Sequence, residues 1–304
     1  MTNHTNSEQP NSKPANKNVI WISGLLISTL LGMAVAWMGS SGSATFSGLP
    51  VFALVIAYAY LLNWLVFIPS FFAHTEKYFD LTGAVTYTTA TVAAVALSGN
   101  LDLRAWIAAA VVIVWSVRLG TFLFRRVHRD GGDGRFDEMK YDFWQFLMTW
   151  TIQGLWVSLT AAAAFVVITS ETRVPFGITG TIGLCIWIAG FLIEVVADQQ
   201  KSNFKAIPSN RGKFINVGLW SWSRHPNYFG EIMLWTGVAI MSIPVLAGSR
   251  WFALVSPIFV FFLLTKVSGI PILRRRADER WGDEAEYQAY VRNTSLLIPL
   301  PPRT

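Results

Sequence analysis

The sequence predicts an all-α polytopic membrane helix bundle. Three observations carry that prediction. Apolar residues make up 53% of the 304-residue chain and charged residues only 14%, where an ordinary soluble domain holds about 25% charged. The apolar residues gather into runs long enough to cross a bilayer core, for which about 20 helical residues suffice. Lys and Arg concentrate in alternate connections between those runs, as they do on one side of a membrane.

Residues 1–18 are polar, rich in Asn and Ser, and read as a disordered tail. The apolar run 19–38 starts too far along the chain for a simple signal peptide and precedes no convincing cleavage site. It therefore reads as a retained helix. Further spans are predicted at 50–72, 81–98, 104–124, 143–169, 176–197, 229–247 and 251–272, about eight in all. The third, rich in Thr and Ala, is the weakest of them. The fifth is long enough to tilt or to begin at the interface. Residues 19–304 form one membrane domain on this reading. With its N-terminus inside, the chain puts nineteen Lys and Arg in cytoplasmic segments and three, Arg104, Arg173 and Arg250, outside. Both termini are therefore expected in the cytoplasm. No internal repeat is visible, which argues against a transporter built from repeats. Cys185 stands alone, so no intrachain disulfide is possible. The four histidines make no His-x-x-x-His pair, so no metal site is expected.

The charged connections differ among themselves. Residues 125–142 and the tail 273–304 are balanced or nearly so, whereas the 198–228 loop carries five cations against Asp198 alone. A positive-inside loop is one explanation, and an anion-binding site is the other. Ionisable groups inside spans are costly and are candidates for function. Arg118 lies deep in the fourth span, Glu194 and Asp198 share a face at the end of the sixth, and Glu231 begins the seventh. Either these groups pair to lock helices together, or they line a polar cavity. Pro226 suits the first turn of a helix. Arg224, Asn227, Tyr228 and Glu231 then fall on one helical face, at an N-terminus that favours phosphate. Lys201 and Lys205 add positive charge. Trp220 and Trp222 either stack on a planar ring or anchor at the interface. His225 reads as a cap or a hydrogen-bond donor. No Gly-x-Gly-x-x-Gly is present, and Gly131-Gly132-Asp133-Gly134 opens no apolar helix, so a nucleotide would be held by helix ends and loops. Nothing in the pattern points to nucleic acid or to a protein partner.

Ala197-Asp198-Gln199-Gln200-Lys201-Ser202-Asn203-Phe204-Lys205, Gly218-Leu219-Trp220 and Arg224-His225-Pro226-Asn227-Tyr228-Phe229-Gly230-Glu231 together resemble the steroid 5α-reductase-like membrane proteins of bacteria, the DUF1295 group. Val267-Ser268-Gly269-Ile270-Pro271, Tyr287-x-x-Tyr290 and Ile298-Pro299 extend the resemblance, which runs from about residue 80 to the end. It implies a seven-helix core holding NADPH on the cytoplasmic side of a bacterial inner membrane, with 19–38 as an extra helix. It also implies hydride transfer to a carbon–carbon double bond of a lipid or steroid-like substrate drawn from the bilayer. By position, Asp198, Lys201, Lys205, Asn227, Tyr228 and Glu231 match cofactor-contacting positions, and Tyr287, Tyr290 and Arg276 fall in the tail that closes over the nucleotide. The candidate cofactor-binding set is Arg118, Glu194, Asp198, Lys201, Lys205, Trp220, Arg224, His225, Asn227, Tyr228, Glu231, Arg276, Tyr287 and Tyr290. Tyr228 and Glu231 are the candidates for the chemical step. Phe67 and Trp115 stand where the animal enzymes contact a steroid ketone, which argues against a 3-ketosteroid. Arg274 stands where the family usually has Glu. Two other readings remain: an S-adenosylmethionine-dependent methyltransferase of the isoprenylcysteine or phospholipid type, and a non-catalytic lipid-binding protein contacting anionic headgroups.

Overall fold

A computed structural model describes residues 17–130, 134 and 136–302, with side chains for all of these except 126–130. Most of the tail expected at 1–18 and most of the Gly131–Gly134 turn lie outside the described residues. Lys17 and Asn18 belong to the first helix.

The chain folds as α1 (Lys17–Ser40), α2 (Val51–Phe72), α3 (Phe79–Leu97), α4 (Leu103–Asp130), α5 (Phe143–Thr160), α6 (Ala162–Thr169), α7 (Gly177–Ala206) and α8 (Pro226–Ser242). It continues through α9 (Val255–Phe262), a π-helical turn (Leu263–Val267), α10 (Ile270–Trp281) and α11 (Ala285–Asn293). A small hairpin, Thr45–Phe46 with Leu49–Pro50, links α1 to α2. Its turn holds Ser47 and Gly48 at φ 51° and 80°, the left-handed backbone that a two-residue hairpin turn requires.

Among the described residues, six helices are long and apolar enough to cross a membrane, or seven if the bent pair α5–α6 counts as one span. This is the composition of a multi-pass membrane protein, with fewer clear spans than the eight expected. The difference is α3. It forms as expected, but its five threonines and Asp80 keep it from qualifying. The expected fifth span breaks by 59° between α5 and α6. All eight residues of α6 are buried, as befits a helix that is apolar all round. The expected last span lies within Gly248–Trp281, one of the six, in which a 3-10 segment, α9, the π turn and α10 follow one another.

The sixth span corrects a boundary. α7 runs to Ala206, so Asp198, Lys201 and Lys205 stand on a helix and not in a loop. No residue before Pro208 forbids helix, and Ile207 turns extended as the residue before a proline does. α7 and α8 pack at very close range through small residues. A Cβ on Gly190 would lie 2.6 Å from the Gly230 carbonyl oxygen, and one on Gly183 would lie 2.5 Å from that of Gly237. This approach sets Glu194 directly against the first turns of α8.

At one end of the bundle two arginines are sunk among backbone carbonyls. Arg104 is 1% exposed and Arg250 5%. Arg104 donates to the carbonyls of Met241 and Pro175 at 2.6 Å and of Phe176 at 2.7 Å. Arg250 donates to Ser170 Oγ at 2.9 Å.

Candidate functional site

At the other end, α4, α7 and α8 meet around Arg118. Its guanidinium binds Glu194 Oε1 at 2.5 Å and Asp198 Oδ2 at 2.6 Å. The two carboxylates lie one turn apart on α7, so a single planar fork spans both. Trp115 donates its indole N–H to Glu194 at 3.2 Å, and Asn227 donates its amide to Asp198 at 3.2 Å. Four of the expected residues, Arg118, Glu194, Asp198 and Asn227, thus form one connected network. The ion pair joins α4 to α7, and Arg118 and Asp198 also line a groove of about 600 Å³ between those helices, whose walls are mostly apolar. Glu231 is not in this ion pair. It faces a separate cavity with Tyr87 and Trp115.

The segment 207–225 is folded back onto α7. Gly218 adopts φ +62°, and a Cβ there would strike the Gln200 amide at 2.6 Å. That amide accepts the Leu219 N–H at 2.9 Å. Trp220 is buried, donates to the Ala197 carbonyl at 3.0 Å, and takes the Lys201 ammonium over its ring at 4.6 Å. Trp220 is therefore a packing anchor within the protein, and its ring is no platform for a ligand. Trp222 is 47% exposed.

The C-terminal tail straps this segment down. Ser223 and Ser295 form a parallel bridge, Arg224 N–H donates to the Ser295 carbonyl at 2.8 Å, and Leu300 N–H donates to that of Trp222 at 3.0 Å. Tyr290 donates to the Trp220 carbonyl at 2.7 Å. Tyr287 donates to Asp278 at 3.2 Å, and the Tyr287 and Tyr290 rings pack on Phe214 at 5.3 and 5.4 Å. Burial pushes the Tyr290 phenol well above its usual range, and the Tyr287 phenol also rises, from burial and then Asp278.

His225 precedes α8, yet its side chain caps nothing there, which corrects the expected cap. Its ring stacks parallel on Tyr228 at 5.5 Å. Burial, then Lys201 and Arg224, push the imidazole down to about 3. Arg224 is lowered by burial and sits among Tyr290, Arg274, Tyr287 and Asp278. Its Nε and the Asn227 Oδ1 are buried without a protein partner among the described residues. An unpaired buried donor and an unpaired buried acceptor, three residues apart at a helix N-terminus, are groups that a polar ligand satisfies.

Two expected residues stand apart. Lys205 is exposed near the end of α7. Arg276 is exposed on α10, and the arginine brought near Arg224 is Arg274. The sequence reading missed Arg274, Phe214, Gln200 and Ser223. Phe67 packs in a separate aromatic cluster, 5.8 Å from Phe146.

Comparison with known proteins places these residues in context. The 3-oxo-5-alpha-steroid 4-dehydrogenase 1 of Macaca fascicularis is 30% identical over 118 residues, covering 39% of this chain and 40% of its own length. Steroid 5-alpha-reductase DET2 of Gossypium hirsutum is 32% identical over 117 residues, covering 38% and 40%. The human 3-oxo-5-alpha-steroid 4-dehydrogenase 1 is 28% identical over 118 residues, covering 39% and 40%. The chain thus spans about two fifths of the length of these curated relatives. No solved structure gives a significant match. The model of the DUF1295 family, described as a protein of unknown function, matches residues 65–294, a stretch that takes in the Arg118 network, the folded-back segment and the helices of the tail, and the chain belongs to that family.

Proposed function

We propose that this chain is a membrane-embedded, NADPH-dependent reductase of a carbon–carbon double bond in a lipid or steroid-like substrate. One observation carries the reading. Arg224 Nε and Asn227 Oδ1, a donor and an acceptor, are buried at the α8 N-terminus without a partner among the described residues, within the stretch that the family model matches. The residues fit such a cofactor: Arg224, Lys201 and Arg274 offer positive charge for phosphates, and Asn227 offers an acceptor for an amide N–H. When bound, NADPH supplies the hydride. The protein's part is to hold and shield. The Arg118–Glu194–Asp198 network fixes α4 against α7, and the strap formed by residues 294–300 covers the segment that carries Arg224. The Lys and Arg asymmetry supports a cytoplasmic position for this end of the bundle and for both termini. A lipophilic substrate would reach the site from the bilayer, and the groove between α4 and α7 is a route of suitable polarity.

Phe67 and Trp115 offer no acid to a steroid ketone. Trp115 is committed to Glu194, so the substrate is expected to differ from that named for the curated relatives. Binding of NADPH, NADH and S-adenosylmethionine to the purified chain tests the reading. Saturable NADPH binding, weakened in an Asn227→Leu variant, is expected. Binding of S-adenosylmethionine without NADPH would replace it with the methyltransferase reading, and binding of none would favour a lipid-binding protein.

A further inference from the structure

Between α3, α4, the last turns of α5 and α8 lies a cavity of about 170 Å³, bounded also by the π turn. Two of its lining side chains are more than nine-tenths buried and carry polar atoms without a protein partner among the described residues. These are Oε1 of Gln153, a residue 7% exposed, and Oγ1 of Thr160, 2% exposed. Gln153 is held in one orientation, because its Nε2 donates to the Phe79 carbonyl at 2.8 Å. Its oxygen is therefore left as an acceptor. Thr160 is unlike its neighbours. Thr86, Thr91 and Thr151 each donate their hydroxyl to the carbonyl four residues back, whereas Thr160, at the 59° break after α5, does not.

The rest of the lining sharpens the chemistry. Glu231 and Asp80 add acceptors, and Tyr87 stands close to Thr160 and Glu231. Trp115, Trp156 and Leu119 give apolar walls, and among the described residues no Lys, Arg or His lines the cavity. An anionic ligand finds no counter-charge among the described lining residues, and a bare ketone can accept from the Thr160 O–H but leaves Gln153 Oε1 unmet, whereas a hydroxyl serves both. A hydroxyl matches. Size narrows it further: a cavity of about 150 Å³ accommodates a benzene-sized ring, so a four-ring skeleton enters with one end at most.

We propose that this cavity binds the hydroxyl-bearing end of a neutral apolar molecule, one ring or a short branched chain in size, through Gln153 Oε1 and Thr160 Oγ1. The proposal rests on the reductase reading only in calling that molecule the substrate. Glu231 lines the cavity one turn beyond Asn227, so the bound end lies next to the candidate cofactor site.

The test is equilibrium dialysis of labelled cyclohexanol, methylcyclohexane and cyclohexanone against the full chain in nanodiscs, with empty nanodiscs as the baseline. Saturable cyclohexanol binding is expected, about tenfold tighter than either analogue. Thr160→Val and Gln153→Met should each cut that preference to about twofold. Thr160→Val removes a hydroxyl that lies by the Tyr87 hydroxyl, and the unfolding midpoint, recorded beside the binding, should move little. Cyclohexanol uptake no greater than that of empty nanodiscs would mean a cavity for water alone and would overturn the proposal. So would equal binding of cyclohexanone, or a preference unchanged in both variants. NADPH binding, measured in the same samples, separates the two readings. Cyclohexanol bound without NADPH leaves the cavity assignment and removes the reductase, while NADPH bound without cyclohexanol does the reverse.

Discussion

Arg104 and Arg250 at one end of the bundle are buried, Arg118 and Arg224 at the other are partly buried, and their partners differ in kind. Arg104 and Arg250 spend their donors on backbone carbonyls and a hydroxyl, groups that cannot titrate and do not move without the helices moving. Arg118, roughly 21 Å further along α4 at a rise of about 1.5 Å per residue, spends its donors on two carboxylates. Arg224 keeps a buried donor without a protein partner. The first end is closed by its own backbone. The second is assembled from charges whose pairing is incomplete, and incomplete pairing is where a ligand gains affinity.

The largest expected effect falls at the closed end. Arg104→Met strips the Val174, Pro175, Phe176 and Met241 carbonyls of their donor in a site that is 1% exposed. A loss of about 3–5 kcal/mol is expected, in line with breaking a buried charged site. Thermal unfolding in detergent measures it, and NADPH affinity of the folded fraction should stay unchanged. A variant that unfolds normally but loses NADPH would erase the contrast between the ends.

The opposite pattern is expected of Arg224. Arg224→Gln keeps most of the volume and removes the charge. NADPH affinity should fall about 10- to 100-fold, the range of one or two charge-assisted hydrogen bonds. The unfolding midpoint should move little, because Arg224 Nε has no protein partner among the described residues and the backbone bond to Ser295 survives. Isothermal titration with NADPH reads the first quantity and thermal unfolding the second. An affinity within twofold of wild type would take Arg224 out of the site.

This contrast also explains what was legible in the sequence. The spans were visible because burial in lipid writes long apolar runs, and Arg118, Glu194 and Asp198 were visible as ionisable groups inside them. Helical spacing put Glu194 and Asp198 on one face, but that Arg118 bridges those two and not Glu231 is seen only in the structure. α3 was marginal because its threonines satisfy their hydroxyls on the helix's own carbonyls, a local solution that hydropathy does not register. The length of α7 was misread because charge was taken to mean loop, although Gln, Lys and Asn sit readily in an exposed helix. Arg274 and Phe214 were out of reach for a different reason. Their roles depend on the tail folding back beside residues 222–225, a long-range contact that no local pattern encodes. The same holds for Thr160, whose hydroxyl is freed only by the break that follows it.

His225 gives a smaller, pH-dependent effect. Its imidazole titrates near 6.5 in the unfolded chain and about 3 in the folded one. Between those values the unfolded state binds the extra proton, so stability is full above about pH 6.5 and declines as pH falls toward 3, by up to roughly 1.4 kcal/mol per pH unit. His225→Phe keeps a ring against Tyr228 and removes this contribution. The wild type should lose more stability than the variant between pH 6.5 and 4.5, and match it in slope above pH 7. Identical slopes throughout would mean that the ring is not buried as neutral imidazole.

The smallest effect separates two neighbours. Arg274 and Arg276 lie two residues apart on α10, about 200° around a helix of 3.6 residues per turn, so both cannot face Arg224. Arg274 is the one that Arg224 meets, and its own partner, Asp278 at 3.6 Å, also receives the Tyr287 hydroxyl. Arg274 is thus tied to the strap by a shared carboxylate, while Arg276 stands exposed on another face. Like charges close together repel, and Arg274 beside Arg224 costs the protein something unless an anion sits between them. Arg276→Ala should therefore change NADPH affinity by less than about twofold, as an exposed charge does, and Arg274→Ala by more. Raising salt should narrow the gap between the two variants, because Arg274 is itself exposed and its interaction with an anion is screened. If Arg276→Ala proves the more damaging of the two, α10 presents the other face to the ligand, and the incomplete pairing at Arg224 has a different explanation.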